Sequence, residues 1–295
     1  MLRSFAVAAT FLFAVSVAYP QAAEQPAKPT ITWHGQSFFT VKSSKGTVLA
    51  FDPHAIPEYD RLEGLRADII LMSHGHPDHV QKGVFENADK KGDEAPVLIM
   101  GWKTSASGQE TWNIVDQKVK DFHIVSVGVY HDDVKGMKRG INTIFIVKVD
   151  GWVICHLGDL GHKLTPVQLK AIKALGEVDA LMIPCGGIYS LNGSEAKDVL
   201  RQIKPKEFVM AMHIGTYIYD DLLPIDEFVD ENPYPAAVVR DDVLVVNPKP
   251  RQNAAWLRKE SPKSDNTLVL DRKGDRPHPV IVGLHYWQQK EKKKK

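Results

Sequence analysis

Cysteine is almost absent. Cys155 and Cys185 are the only two in 295 residues, so no disulfide framework staples the chain and a packed core must hold it. The two thiols could pair with each other, although both lie in apolar, strand-like runs where buried free thiols are common. An excess of one charge is lacking as well: Lys plus Arg number 37 against 36 for Asp plus Glu. That balance leaves no global field to draw the protein to nucleic acid, and no nucleic-acid partner is expected. Beyond residue 18 no apolar run approaches the roughly 20 residues that a membrane-spanning helix needs. Gly-x-Ser-x-Gly, Gly-x-x-x-x-Gly-Lys and His-Glu-x-x-His do not occur, which argues against serine hydrolases, P-loop enzymes and zincins. No dinucleotide fingerprint occurs either.

At the N-terminus a single basic residue, Arg3, precedes the apolar run Phe5 to Ala18 and a polar stretch opening at Tyr19-Pro20-Gln21. This is the layout of a secretory signal peptide, with cleavage after Ala18 or Ala23. The run is about 14 residues, too short to span a bilayer, so the mature protein is expected to be exported, periplasmic or secreted, with no transmembrane segment. No cysteine near the cut offers a lipoprotein anchor there. Residues 24–29 read as a spacer, 30–247 as the main folded domain, and 248–295 as a C-terminal extension with a basic tail that reads as a solvated end.

Short apolar runs follow the spacer at close intervals. Thr30 to Trp33, Phe38 to Val41 and Val48 to Phe51, separated by tight turns, predict an antiparallel meander. Further strands are predicted at Ile69 to Met72, Val97 to Met100, Ile124 to Val127, Ile144 to Val149, Val153 to Leu157, Ala180 to Pro184 and Glu207 to Met212. Helices interleave in the second half. Thr165-Pro166 caps one that carries Leu169, Ile172 and Leu175 and stops at Gly176; Ser194 caps Glu195 to Ile203; Pro224 opens a third that runs to about Asn232. Val243 to Val246 and Thr267 to Leu270 still look like strands. The fold class is mixed α/β.

The most informative segment is His74-Gly75-His76-Pro77-Asp78-His79, directly after the strand Ile69 to Met72. On extended backbone, residues two apart point the same way, so His74 and His76 can grip one metal ion together. Pro77 then turns the chain and brings Asp78 and His79 round to a second position. A buried cluster of this kind without metal would leave several imidazoles competing for partners.

His-x-His-x-Asp-His after a buried strand resembles the signature of the metallo-β-lactamase superfamily. The further residues of that pattern have counterparts in order, in Val129-Tyr130-His131-Asp132, Leu157-Gly158-Asp159 and Met212-His213-Ile214-Gly215. The resemblance spans roughly Thr30 to Thr216 and implies an αββα sandwich of two mixed β-sheets with outer helices, the site lying along one edge. It implies that His74, His76 and His131 bind one metal, that Asp78, His79 and His213 bind another, and that Asp159 bridges them. Trp33-His34-Gly35-Gln36-Ser37-Phe38-Phe39, Phe51-Asp52-Pro53 and Gly186-Gly187-Ile188-Tyr189-Ser190-Leu191-Asn192 are most similar to the branch holding L-ascorbate-6-phosphate lactonase and the N-acyl-phosphatidylethanolamine phospholipase D.

Two divalent ions are therefore expected, zinc first, with manganese or iron compatible with the same imidazole and carboxylate donors. Such a pair lowers the pKa of a shared water and polarises the bond under attack. Asp78 and Asp159 are the candidate catalytic carboxylates. His34, His54, His156, Tyr189 and Asn192 are candidates for contact with substrate or support of a ligand, and Lys135, Lys138 and Arg139 lie where they could steer an anion. The expected reaction is hydrolysis of an ester-like bond, lactone or phosphodiester, in a small molecule or lipid. A di-iron redox protein and a metal-binding module without turnover remain open beside it, and β-lactam hydrolysis is a minor alternative.

Overall fold

The computed structural model describes residues 28–59, 62–216, 219–234, 236–240, 243–247, 266–272 and 279–284. The segment read as a signal peptide, most of the stretch read as a spacer, and the basic tail lie outside them. The strands in chain order are β1 (Thr30–Trp33), β2 (Phe39–Lys42), β3 (Val48–Phe51), β4 (Ile69–Met72), β5 (Val97–Met100), β6 (Trp102–Thr104), β7 (Glu110–Trp112), β8 (Asp116–Val119) and β9 (Phe122–Tyr130). They continue with β10 (Ile141–Val149), β11 (Trp152–His156), β12 (Ala180–Pro184), β13 (Phe208–Met212), β14 (Ala236–Arg240), β15 (Val243–Asn247), β16 (Thr267–Val269) and β17 (Val280–Gly283).

One sheet has six strands in the order β16-β1-β2-β3-β4-β5, the other nine in the order β15-β14-β17-β13-β12-β11-β10-β9-β8, and β6 pairs with β7 alone. Both large sheets are mixed: the meander β1-β2-β3 is antiparallel and β3-β4-β5 parallel, while β9-β10-β11 is antiparallel and β11-β12-β13-β17 parallel. Alternation assigns their faces. Phe39, Val41, Leu49, Phe51, Ile69 and Leu71 from the first sheet share one buried cluster with Ile124, Ile144, Ile146, Ile154 and Leu181 from the second. Ala50, Ile70 and Met72 point the other way and pack with Phe38, Ala67 and Phe85. The parallel strand β4 is thus covered on both faces, which explains its uninterrupted apolar sequence.

The helices pack behind the second sheet. Helix α1 (Pro166–Ile172) starts as expected, with Thr165 and Gln168 forming a reciprocal capping box, but Lys173 ends it short of Gly176. In α2 (Gly193–Ile203) the cap is Asn192, not Ser194: its side-chain oxygen accepts from the Glu195 N–H while the Glu195 carboxylate accepts from the Asn192 N–H. This buries Ala196, Val199, Leu200 and Ile203. The third helix is a single turn, α3 (Asp226–Val229). Over the outer face of the first sheet run three 3-10 turns, Pro77–His79, Lys82–Val84 and Gly92–Glu94, because residues 77–96 carry no apolar stripe of helical period. The chain beyond residue 247, set apart in the sequence as an extension, supplies β16 to the first sheet beside β1 and β17 to the second between β13 and β14. Cys155 and Cys185 are both buried and both free.

Candidate metal centre

Four of the candidate ligands follow the C-terminal end of a strand, the side where α/β sheets gather their functional loops. His74 follows β4, His131 follows β9, Asp159 follows β11 and His213 follows β13. The turn Pro77–His79 carries Asp78 and His79 back to the same edge. At the centre is Asp159. Its Oδ2 lies 3.0 Å from His213 Nε2, 3.2 Å from His79 Nε2, 3.3 Å from His131 Nε2 and 3.9 Å from His74 Nε2. Two triads of ligand atoms are close enough to share an ion, His74 with His76 and His131, and Asp78 with His79 and His213. They are composed of the residues that the family resemblance assigns to two metals.

The approach to Asp159 is set by Gly158, with φ +54°; a Cβ there would lie 2.2 Å from Asn142 Oδ1 and 2.8 Å from Ser73 Cβ. Asn142 accepts from the Asp159 N–H and donates to the Leu157 carbonyl. Ser37 donates its hydroxyl hydrogen to Asp159 Oδ1 at 3.3 Å.

A layer of residues behind the ligands fixes which imidazole nitrogen faces the centre. Asp52, at the end of β3, accepts from the Ser73 N–H (2.7 Å), the Ser73 hydroxyl (2.6 Å) and His79 Nδ1 (3.0 Å). Ser73 Oγ is 2.9 Å from His74 Nδ1, and Ser190 Oγ is 3.2 Å from His213 Nδ1. The Nε2 atoms are thereby left for the centre. Asp52 also lies within reach of His74 and His79 as a third triad, but its Oδ2 is already bonded to His79 Nδ1 and to Ser73, which makes it an orienting group. The sequence reading missed Asp52, Ser73, Ser37 and Ser190 as site residues. The signal for Asp52 was a carboxylate directly after an apolar strand, within a segment singled out only as a motif.

The electrostatics follow from burial and this geometry. Burial pulls the His74 and His76 imidazoles below the usual range, aided by neighbouring histidines. Burial would lower His79 too, yet the Asp159 and Asp52 carboxylates on its two sides outweigh it and hold His79 well above its ordinary value. Burial opposes ionisation of Asp159, but His213 and His79 prevail and keep it well below the carboxylate range. Asp78, against burial, is drawn down to about 2 by the adjacent His79 imidazole, whose Nε2 lies 3.4 Å from its Oδ2.

Does a metal fit? The Nε2 atoms of His74, His79 and His131, which face Asp159, are buried with no hydrogen-bond partner, a costly arrangement unless a cation supplies the missing partner. The donors are imidazole and carboxylate, the set that divalent transition metals take.

The remaining candidates have other work. His156 Nδ1 accepts from the Gly158 N–H and its Nε2 donates to the Ser37 carbonyl, while its ring stacks on Phe51 at 4.8 Å; it supports the Asp159 turn from behind. His54 accepts from the Ile56 N–H and donates to the His34 carbonyl, and burial lowers its pKa to about 4. His34 Nε2 bonds Thr40 Oγ1 at 2.9 Å. Both are buried in the loops that follow β1 and β3. Asn192 is the cap of α2. Tyr189 is half exposed, with Arg139 over its ring at 5.4 Å. The loop after His131 is held by Asp132, whose carboxylate accepts from the N–H groups of Val134, Gly136, Lys138 and Arg139. A cavity of about 660 Å³ between β5 and β8, lined by Leu98, Met100, Trp102, Ile114 and Gln117 among others, includes none of the histidines.

Comparison with known proteins agrees with this geometry. Residues 30–213, more than half of the chain, match the Beta-lactamase superfamily domain. The chain belongs to that superfamily. Relatives of this superfamily member include a UPF0173 metal-dependent hydrolase of Anaeromyxobacter, 29% identical over 222 residues that cover 68% of this chain and 79% of the relative. Another of the same description from Myxococcus xanthus is 29% identical, covering 66% and 74%. A solved structure from Thermotoga maritima, assigned to the metallo-beta-lactamase superfamily, superposes with a TM-score of 0.56 at 24% identity over 87% of this chain and all of that one. The fold is the metallo-β-lactamase fold.

Proposed function

We propose that this protein is a metal-dependent hydrolase that cleaves an ester-like bond, lactone or phosphodiester, in a small molecule or lipid, using two divalent ions, zinc first. One observation carries the reading: buried, partnerless Nε2 atoms of three histidines converge on the Asp159 carboxylate at the C-terminal ends of the strands. That relatives carry the name metal-dependent hydrolase supports it.

His74, His76 and His131 would hold one ion and Asp78, His79 and His213 the other, with Asp159 shared between them. Metal in such a site lowers the pKa of water toward neutrality and polarises the oxygen of the scissile group. The chain's own residues do the rest. Asp52, Ser73 and Ser190 engage the Nδ1 atoms of His79, His74 and His213 and leave Nε2 of each toward the centre. Asp78, its side chain 34% exposed and its Oδ2 3.4 Å from Gln36 Nε2, faces the opening and is placed to orient the attacking water by accepting one of its hydrogens. The water oxygen bonds to the acyl carbon or phosphorus, the bond to the leaving oxygen breaks, and the proton ends on that oxygen. The N-terminal segment supports export, so the reaction is proposed to run in the periplasm or outside the cell.

The test is a screen of the metal-loaded mature protein over lactones, phosphodiesters, phospholipids and β-lactams, with metal content measured in parallel. Turnover of a lactone or phosphodiester that is lost on chelation and restored by zinc is expected. Two bound ions with no turnover on any class would overturn the hydrolytic reading.

A further inference from the structure

Among the described residues, ten large apolar side chains are exposed, and eight of them fall in two groups. Val97, Leu98, Met100 and Ile114 lie along the edge of β5. Met137, Ile188, Tyr189 and Leu223, between 48% and 81% exposed, lie instead on three loops: Met137 follows His131, Ile188 and Tyr189 follow β12, and Leu223 follows His213. These loops are tied together and to the site. Ser190 bonds His213 at 3.2 Å, Gly186 N–H donates to the His213 carbonyl, and Leu223 N–H donates to the Gly186 carbonyl. Arg139, two residues after Met137, donates to the Ile188 carbonyl at 3.0 Å and covers the Tyr189 ring.

Ile188 is the informative member. Its φ is +59°, the left-handed region, where a β-branched residue is a genuine outlier and glycine or asparagine would sit unstrained. The side chain gains little in return from packing, since it is 52% exposed. Strain of this kind clusters where function holds a side chain in place, and contiguous exposed apolar surface marks binding.

We propose that Ile188, Tyr189, Leu223 and Met137 form a seat for the apolar arm of the substrate, an acyl or aryl group attached directly to the scissile bond. This rests on the hydrolytic reading of the site and narrows its substrate class to amphiphiles with a hydrophobic group beside the cleaved bond. The occupant is a small-molecule arm because the segment Gly186 to Ser190, which carries Ile188 and Tyr189, also bonds His213 through Ser190 and Gly186, and because Arg139 bonds the Ile188 carbonyl of that segment.

Two measurements on the full, metal-loaded chain test it. Hydrolysis of p-nitrophenyl acetate, butyrate, hexanoate and octanoate should rise in kcat/KM by up to about fourfold per methylene buried. Calorimetric binding of methyl-, butyl- and octylphosphonate, which cannot be hydrolysed, should tighten at least tenfold from the first to the last. Ile188→Asn and Leu223→Asn should each flatten both trends with metal content unchanged, and Ile188→Asn should not lower the melting temperature, since asparagine tolerates the backbone. If no ester is cleaved while the phosphonate trend holds and collapses in the variants, the hydrolytic reading fails and the seat stands. Equal affinity across the phosphonates, or a trend that survives both substitutions, overturns the seat. So would a dimer in sedimentation, or binding to phosphatidylcholine vesicles, that Ile188→Asn abolishes in the absence of any chain-length trend.

Discussion

Asp52→Asn removes one negative charge from a residue whose oxygens are taken up by Ser73 and by the far nitrogen of His79, yet it should weaken metal binding more than most surface changes can. Asp52 is 1% exposed and receives three hydrogen bonds, two from Ser73 and one from His79 Nδ1. An asparagine has one acceptor oxygen and one donor group. If the oxygen stays on Ser73, the amide NH₂ faces His79 Nδ1 and favours the tautomer that carries the proton on Nε2. The nitrogen aimed at Asp159, 3.2 Å away, is then occupied by hydrogen and cannot coordinate. Losing an outer hydrogen-bond partner of this type costs about 10–100-fold in metal affinity, or about 1.4–2.7 kcal/mol. Chelator-competition titration of zinc against wild type and variant gives the ratio, and far-UV circular dichroism checks that the sheets persist. A variant whose zinc affinity stays within about threefold of wild type would refute the orienting role of Asp52.

Asp159→Ala should lose activity and at least one metal ion while keeping its fold, because the packing residues of β11 are untouched; retention of two ions with near-normal turnover would exclude a shared carboxylate. Chelation of the wild type should lower its melting temperature, since His74, His79 and His131 then bury nitrogens with no partner; scanning calorimetry with and without chelator reads the shift. His54 stays neutral in the folded state down to about 4 against an ordinary 6.5, so as pH falls from 6.5 toward 4 the unfolded chain takes up a proton that the folded chain refuses, and about 3 kcal/mol of stability is lost. Gln at position 54 keeps one donor and one acceptor, and urea titrations should give a shallower acid slope for His54→Gln than for wild type. Intact mass of protein from a secreting host should lack the first 18 to 23 residues.

The sequence was most legible where function and local pattern coincide. The bounds of β1, β3, β4, β5 and β12 agree with the apolar runs that predicted them, because each run is short, continuous and closed by polar or turn residues. His74 to His79 was readable because four donors fall within one turn of chain. His131, Asp159 and His213 are single residues on distant strands, and only their order at strand ends and the family resemblance singled them out. Asp52 and Ser73 were not legible for a topological reason. They are 21 residues apart and meet because β3 and β4 are parallel neighbours, a pairing that neither segment announces. The cap of α2 was readable but misread: Asn192 with Glu195 has the capping-box spacing, while Ser194 merely lies inside the first turn. β17 escaped notice because a four-residue strand after a long polar stretch carries little periodic signal.

The two site aspartates show how one fold gives the same side chain two environments. Asp159 is 2% exposed, held by Ser37 and backed by Asn142, with four imidazole nitrogens within 4 Å. A carboxylate so enclosed cannot move without leaving those nitrogens unbalanced, which suits it to hold charge in place and not to carry protons. Asp78 lies on a 3-10 turn, a third exposed, with Gln36 as its outer contact. It keeps access to solvent and to whatever enters the opening, so of the two it is the one able to meet a substrate or a water in motion. The division follows from position in the chain: Asp159 ends a buried central strand, whereas Asp78 follows Pro77, where the backbone has already turned away from the sheet.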